Sequence, residues 1–290
     1  MIREIQAKVM LSPVKQPDTW FGLRYNLNLY RGCQHRCIYC DSRSECYGIA
    51  DFDGEILVKA NAVELLRDEL PRKRVRGTIG TGSMNDPYMP LERKVQLTRR
   101  ALEAIAEFHF PVHILTKSDL VLRDLELLQE IGRVYAAVTF TITTADDALG
   151  NKVEPYAPPV SARFAALAAL AAHGIYTGIT LMPVLPFLED SEENIAAIVE
   201  RAHACGASYI IPSFGMTMRD RQRAYFYARL DELFPGLRAR YERTYGERYG
   251  CAVPQAGRLG KLFAELCARR GLATRIIPYA PQAAKQLPLL

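Results

Sequence analysis

Short apolar runs rich in β-forming residues recur along this chain, and each gives way to a stretch patterned for a helix. Six runs read as strands: Tyr25–Tyr30, Thr78–Gly82, Val112–Thr116, Ala136–Ile142, Tyr176–Met182 and Tyr209–Ser213. Between them, Leu91, Val95, Thr98, Leu102 and Ile105 recur at three- and four-residue steps, one face of an amphipathic helix. Ala162–Ala172 and Ile195–Ala204 repeat the pattern, with Gly174 and Gly206 as helix stops. A strand–helix alternation repeated six times calls for an α/β fold with a parallel sheet. Six βα units in about 190 residues predict a partial (β/α)6 TIM-like barrel rather than a closed eight-unit one.

Such a barrel carries its chemistry at the C-terminal ends of its strands. Polar residues gather there after each predicted strand. Strand two leads into Ser83-Met84-Asn85-Asp86-Pro87-Tyr88, strand three into Thr116-Lys117-Ser118, and strand four ends around Thr141. Strands five and six run into Pro183-Val184-Leu185-Pro186 and Pro212-Ser213-Phe214-Gly215. One such segment could be a turn or a cap. Six in the same topological place point to a site.

The loop after strand one holds Cys33, Cys37 and Cys40, spaced Cys-x3-Cys-x2-Cys. A structural zinc or a closed electron-transfer cluster takes four protein ligands. Three thiolates on one short loop can hold three irons of a [4Fe–4S] cube and leave the fourth open to react. Two plainer readings stand beside this one. Cys46, with His35, could complete a zinc site, or the thiols could simply be buried together. His35 is squeezed between Cys33 and Cys37, which suits a ring that hydrogen-bonds the cluster edge better than a ligand.

The chain has 290 residues, 49% hydrophobic and 24% charged, enough for one large domain with a sizeable core. The longest apolar run, Phe164–Ala172, falls well short of a membrane span and reads as a buried helix. The N-terminus lacks the order of a signal peptide, and seven cysteines without one argue for reduced thiols and a cytoplasmic home. A net charge of +5 permits an anionic partner without demanding one. Residues 219–249 carry eight arginines against five acids, with five tyrosines interleaved. That composition suits a single-stranded nucleic-acid surface, or a pair of surface helices with solvated arginines, joined at Phe234-Pro235-Gly236. The basic run Arg72-Lys73-Arg74-Val75-Arg76 precedes strand two, at the end opposite the cysteines, and reads as a solvated linker. The expected divisions are an N-terminal extension (1–24), the partial barrel (25–216) and an Arg/Tyr-rich helical region (217–290).

The cysteine spacing, with Tyr39 just before the last cysteine, resembles the radical S-adenosylmethionine (radical SAM) enzymes. Tyr30-Arg31-Gly32-Cys33, Asp86-Pro87-Tyr88-Met89-Pro90, Leu115-Thr116-Lys117-Ser118 and Val153-Glu154-Pro155 are similar to segments of the spore photoproduct lyase family. The resemblance runs from Tyr25 to Phe214, roughly two thirds of the chain. It implies that Cys33, Cys37 and Cys40 hold the cluster, and that its open iron binds SAM. It further implies that Tyr39 lies near the adenine, that Lys117 and Thr141 meet the SAM carboxylate, and that Asn85 and Asp86 lie near the amino group. For Lys117 the alternative is a salt bridge to Asp119 or Asp124, and for Asp86 a turn role before Pro87. Glu154 could hold the ribose hydroxyls or cap its loop.

An electron donor such as flavodoxin or ferredoxin is implied as well. The expected protein is a monomer with no membrane partner, and nucleic acid remains a compatible one. Two departures stand out. Ser83 occupies the place of the lyase's hydrogen-donating cysteine, and Asp41 that of the tyrosine after the last cluster cysteine. A serine O–H is far harder to break homolytically than a thiol S–H, so the SAM machinery is kept while the hydrogen-return route is changed. The substrate-side catalytic residues are unassigned. Cys46, Cys205, Cys251 and Cys267 read as ordinary thiols. The alternative from another class is a non-enzymatic, zinc-holding nucleic-acid-binding protein.

Overall fold

The computed structural model describes residues 1–15, 18–49 and 51–281. The chain opens with β1 (Ile2–Ile5), β2 (Leu11–Pro13), β3 (Tyr25–Leu27) and β4 (Tyr30–Arg31), and resumes after the cysteine loop with β5 (Ile56–Lys59) and α1 (Ala62–Glu69). Then follow β6 (Ile79–Thr81), α2 (Glu92–Val95), α3 (Leu97–Glu107), β7 (Val112–Thr116), α4 (Leu125–Gly132) and β8 (Ala136–Thr141). Next come α5 (Asp147–Val153), α6 (Val160–Ala172), β9 (Tyr176–Leu181), α7 (Glu192–Ala204) and β10 (Tyr209–Pro212). The C-terminal part is β11 (Gly215–Thr217), α8 (Asp220–Leu233), α9 (Leu237–Tyr245), β12 (Gly250–Ala252) and α10 (Ala256–Arg270).

Strands β3, β6, β7, β8, β9 and β10 lie side by side and parallel, and β2 joins β3 antiparallel at the edge. Among the described residues β3 and β10 are not paired, so this is an open, partial barrel. Helices cover the outside, which is why β8 reads as six consecutive buried residues rather than an alternation. The helix stops at Gly174 and Gly206 fall as expected, with φ of +77° and +76°.

Two expected elements are divided. The run Tyr25–Tyr30 leaves the barrel sheet after Leu27, and β4 pairs antiparallel with β5, which is itself parallel to β1. Lys59 stitches the crossing residues, its amide donating to Leu29 O (3.2 Å) and its ammonium to Asn28 O (2.6 Å). The helix expected over 91–105 breaks at Gln96, whose φ is +52°. Buried Glu92 takes the amides of Thr98 (3.1 Å) and Arg99 (3.4 Å) at the start of α3, and Arg123 balances its charge at 2.9 Å. A carboxylate at a helix N-terminus meets the dipole and the free amides there, which one continuous helix would withdraw.

The C-terminal helices join at residues 234–236, as the sequence suggested. Several of their arginines are not solvated, however. Arg223 donates to Met218 O (3.1 Å) and Arg248 O (2.8 Å), and Arg221 to Arg43 O (2.6 Å) and Ile49 O (2.5 Å). Tyr227, Tyr241 and Tyr245 are buried in a core shared with Cys37, Ile38 and Tyr39. The guanidinium's five donors close loop carbonyls that would otherwise go unmet. Residues 72–76 lie outside any strand and are mostly exposed.

Candidate active site

The cysteine loop enters its bend at Gly32, whose φ is +83° and where a Cβ would stand 2.7 Å from Glu55 O, so glycine alone fits. From there the loop is fastened to the segment after α5. Ile38 N–H donates to Val153 O (2.9 Å), Tyr156 N–H to His35 O (3.3 Å), and His35 Nδ1 meets Tyr156 O (3.1 Å). Gln222 on α8 donates to Tyr39 O at 3.1 Å, so the C-terminal region also grips the loop.

Cys33, Cys37 and Cys40 line a cavity of about 700 Å³ at the C-terminal mouth of the barrel. Tyr39, Asn85, Asp86, Lys117 and Thr141 line the same cavity. Eight of the nine residues singled out in the sequence therefore converge there. Glu154 stands just behind the wall, its carboxylate accepting from the Tyr39 hydroxyl and lying 3.7 Å from Lys117 Nζ.

Asp86 is fully engaged. Its Oδ1 accepts from Tyr88 N–H (2.9 Å) and Thr116 Oγ1 (2.7 Å), and its Oδ2 from Lys117 N–H (2.6 Å), with His35 Nε2 at 3.1 Å. Burial works to raise its pKa, but the His35 ring and these donors hold it down to about 2. His35 lines the cavity with the three cysteines, Asp86 Oδ2 lying 3.1 Å from its Nε2 and Tyr156 O 3.1 Å from its Nδ1. Asn85 donates its amide to Tyr30 O (2.7 Å), which turns its carbonyl oxygen to the other side.

Lys117 pairs with Glu154 rather than with Asp119 or Asp124, which are held by Arg93 (4.0 Å) and Arg99 (2.9 Å). Burial opposes the Lys117 charge, and Cys37 and Glu154 outweigh it, so the ammonium is kept. Burial likewise pushes against Glu154, but Arg163 at 2.5 Å and Lys117 hold its pKa below the usual range. Arg163 was not singled out in the sequence. A lone arginine heading the Ala/Leu-rich α6 was the available signal, since a buried charge needs a partner. Glu189, also missed, is fully buried and accepts from Thr143 Oγ1 (2.7 Å) and Leu185 N–H (2.9 Å). Burial raises its carboxyl to about 8, with Glu154 adding to the effect.

The remaining wall comes from the C-terminal hairpin. Met216, Thr217, Gly250 and Cys251 line the cavity, and β11 pairs with β12 across Met216 and Cys251. This pairing straddles the boundary expected at 216/217. Ser83 is exposed at the mouth, its hydroxyl 3.4 Å from Asn28 Oδ1. Cys46 is exposed and does not line the cavity. Three loop thiols and Cys251 from the far hairpin open on this one cavity, and as they stand the described residues form no cluster of three or more metal-ligating side chains. Burial raises all three thiols, Cys33 to about 12, so taking up iron would release protons.

Comparison with known proteins gives the family and the fold. The family pattern for the "Radical SAM superfamily" matches residues 27–199. An uncharacterized protein of Mycobacterium tuberculosis is 34% identical over 268 residues, covering 89% of this chain and 78% of its own. A "Radical SAM Nalpha-GlyT isomerase" of Pseudomonas phage M6 is 28% identical over 182 residues, 63% of this chain and 37% of its own. Among solved structures, a spore photoproduct lyase complexed with dinucleoside spore photoproduct superposes with a TM-score of 0.68 at 16% identity, covering 94% of this chain and 81% of that one. No described helix is long and apolar enough to cross a membrane.

Proposed function

Because the chain belongs to the radical SAM superfamily, we propose that it cleaves SAM reductively at a [4Fe–4S] cluster held by Cys33, Cys37 and Cys40, and uses the radical on a substrate that enters from the barrel mouth. It is a radical SAM enzyme, so the non-enzymatic zinc-holding alternative falls away. The observation that carries the reading is the convergence of three thiols, one ammonium and two side-chain acceptors on a single cavity. With both groups bound, the chemistry supplied is one-electron cleavage of SAM to methionine and a 5′-deoxyadenosyl radical, which takes hydrogen from the substrate.

In this reading Lys117 meets the SAM carboxylate in a charge-assisted hydrogen bond. The Thr141 hydroxyl adds a donor to the same group. The Asn85 carbonyl, freed by its amide's bond to Tyr30, accepts from the SAM amino group. The Tyr39 ring offers a flat face to the adenine. Asp86 acts at one remove, fixing Lys117's backbone and His35 rather than touching SAM. Glu154 holds Lys117 and Tyr39 in register. The electron comes from a flavodoxin- or ferredoxin-type carrier. Seven free cysteines support a reducing, cytoplasmic setting.

The test is anaerobic reconstitution followed by SAM and dithionite, which should yield 5′-deoxyadenosine. Cys33→Ala, Cys37→Ala or Cys40→Ala should each abolish iron–sulfur absorbance, and Cys46→Ala should keep it. Equal loss from Cys46→Ala would mean a four-cysteine site and sink the open-iron reading. With Ser83 at the mouth, the enzyme should not repair thymine dimers in an oligonucleotide; recovery of thymine over many turnovers would overturn that narrower claim. Tracing deuterium from cell extract into 5′-deoxyadenosine identifies the substrate.

A further inference from the structure

The side of the cysteine loop away from the cavity has its own construction. Cys33 and Cys40 pack there against Ile49 and Phe52. Buried Arg43 lies between two rings, its guanidinium carbon 4.6 Å from the Phe52 centroid and 3.6 Å from that of Tyr225. Asp53 holds it from the edge with two bonds of 2.6 Å. None of Arg43, Ile49, Phe52, Asp53 or Tyr225 lines the cavity.

Around this stack the surface is arginine and tyrosine. Arg36, between Cys33 and Cys37, has a φ of +51°; its side chain bonds Asp53 O (2.5 Å) and sits 5.2 Å from the Tyr156 ring, itself 57% exposed. Arg229 stands four residues along α8 from Tyr225, on the same helix face. Burial raises the Tyr225 hydroxyl's pKa; Arg43 pulls against it most, Asp53 adds to it, and Arg229 and Arg36 lower it, so all four charges lie close by. Three cations thus face two acids, Asp53 against Arg36 and Arg43 and Glu232 against Arg229, which leaves the face net positive in a chain of net charge +5. Exposed tyrosine beside arginine is the composition of protein-binding hot spots.

We propose that this face, formed by Arg36, Tyr156, Tyr225 and Arg229 over the back of the cysteine loop, docks an acidic one-electron carrier protein of the flavodoxin type. The inference rests on the SAM-cleaving reading above, which consumes one electron each time one sulfonium carbon–sulfur bond breaks. SAM and substrate fill the cavity side, so the carrier's access is from behind. The Tyr225–Arg43–Phe52 stack is a packed path from that surface to Cys33 and Cys40. A basic face steers an acidic carrier and raises its rate of encounter.

Two reductants separate the docking claim from the reading beneath it. Arg229→Glu and Tyr156→Ala lie outside the cavity and should leave dithionite-driven 5′-deoxyadenosine formation and SAM affinity unchanged. With reduced flavodoxin as donor, each should raise the KM for flavodoxin by about tenfold. The wild type's flavodoxin-driven rate should fall with added salt, and that of Arg229→Glu should fall less. Unchanged flavodoxin KM in both variants would overturn the docking face, and so would a parallel loss of the dithionite-driven rate. No 5′-deoxyadenosine from the wild type with dithionite would instead overturn the SAM-cleaving reading.

Discussion

Arg219 Nη2 lies 2.6 Å from Asp41 Oδ2, which ties the residue directly after the last loop cysteine to the turn bearing the C-terminal hairpin. Tyr47 donates to the same oxygen (2.8 Å), Thr217 to the other (3.3 Å), and Arg219 Nε reaches Ser44 Oγ (3.1 Å). Asp41, Tyr47 and Thr217 all line the cavity, so this knot fixes its outer wall. Both charged partners are 31% exposed, and solvent limits the pair to about 0.5–1 kcal/mol.

Arg219→Met should therefore barely change stability while loosening the wall. Hydrogen exchange at Met218, whose amide donates to Tyr249 O (2.8 Å), should speed up, and Asp41→Asn should have the same effect. The double variant should add little, because the two residues act as one unit. Native exchange rates in both single variants would show that the wall stands without the pair.

Lys117→Met should weaken SAM binding by roughly 10- to 150-fold, the equivalent of about 1.5–3 kcal/mol for a lost bond to a charged group. Cluster absorbance should be normal, since no cysteine is touched. Titration calorimetry on the reconstituted enzyme reads the first, and its absorption spectrum the second. An unchanged SAM Kd would confine Lys117 to its pairing with Glu154.

Arg163→Met leaves buried Glu154 with the Tyr39 hydroxyl and, as its one nearby counter-charge, Lys117 at 3.7 Å, at a cost of about 3–5 kcal/mol in denaturant unfolding. Adding Glu154→Gln should recover part of the loss, because it removes the buried carboxylate's charge while taking away Lys117's partner. A double variant as unstable as the single one would mean that Arg163 matters chiefly through Pro158 O and Thr141 O, which it also bonds at 3.0 Å.

Glu189 gives a pH signature. Its carboxyl is raised from 4.5 to about 8 in the fold, so the folded state holds the proton more tightly than the unfolded one. The resulting stability is complete below pH 4.5 and is lost as pH rises to about 8. Thr143, Leu185, Glu154 and Lys117 are the groups acting on it. Glu189→Gln, which mimics the protonated acid, should behave like wild type at pH 5 and be more stable at pH 9, by a few kcal/mol on the order of magnitude. Parallel stability curves from pH 5 to 9 would refute a proton held there.

Much of this protein is written in local sequence. Val112–Thr116 is a strand over the predicted residues, because β-forming side chains at short range set backbone preference. Gly174 and Gly206 end helices because only glycine enters the left-handed region freely. That Cys33, Cys37 and Cys40 open on one cavity was legible in their spacing, since one short loop must bring them together.

Partnerships across the fold were decided only by the tertiary structure. Asp41 and Arg219 are 178 positions apart, and Tyr39 and Glu154 are 115 apart. Nothing local distinguishes Arg219 or Arg223 from a solvated arginine, and the composition of residues 219–249 fits a nucleic-acid surface as well as the interior glue several of those arginines form. Glu92 breaks a helix that its own periodicity supports, because Thr98 and Arg123 reward the break. Side-chain type and spacing set what a residue can do. Which neighbour meets it depends on how the open barrel and the C-terminal hairpin close around one cavity, where burial makes each unmet charge costly enough to select the partner.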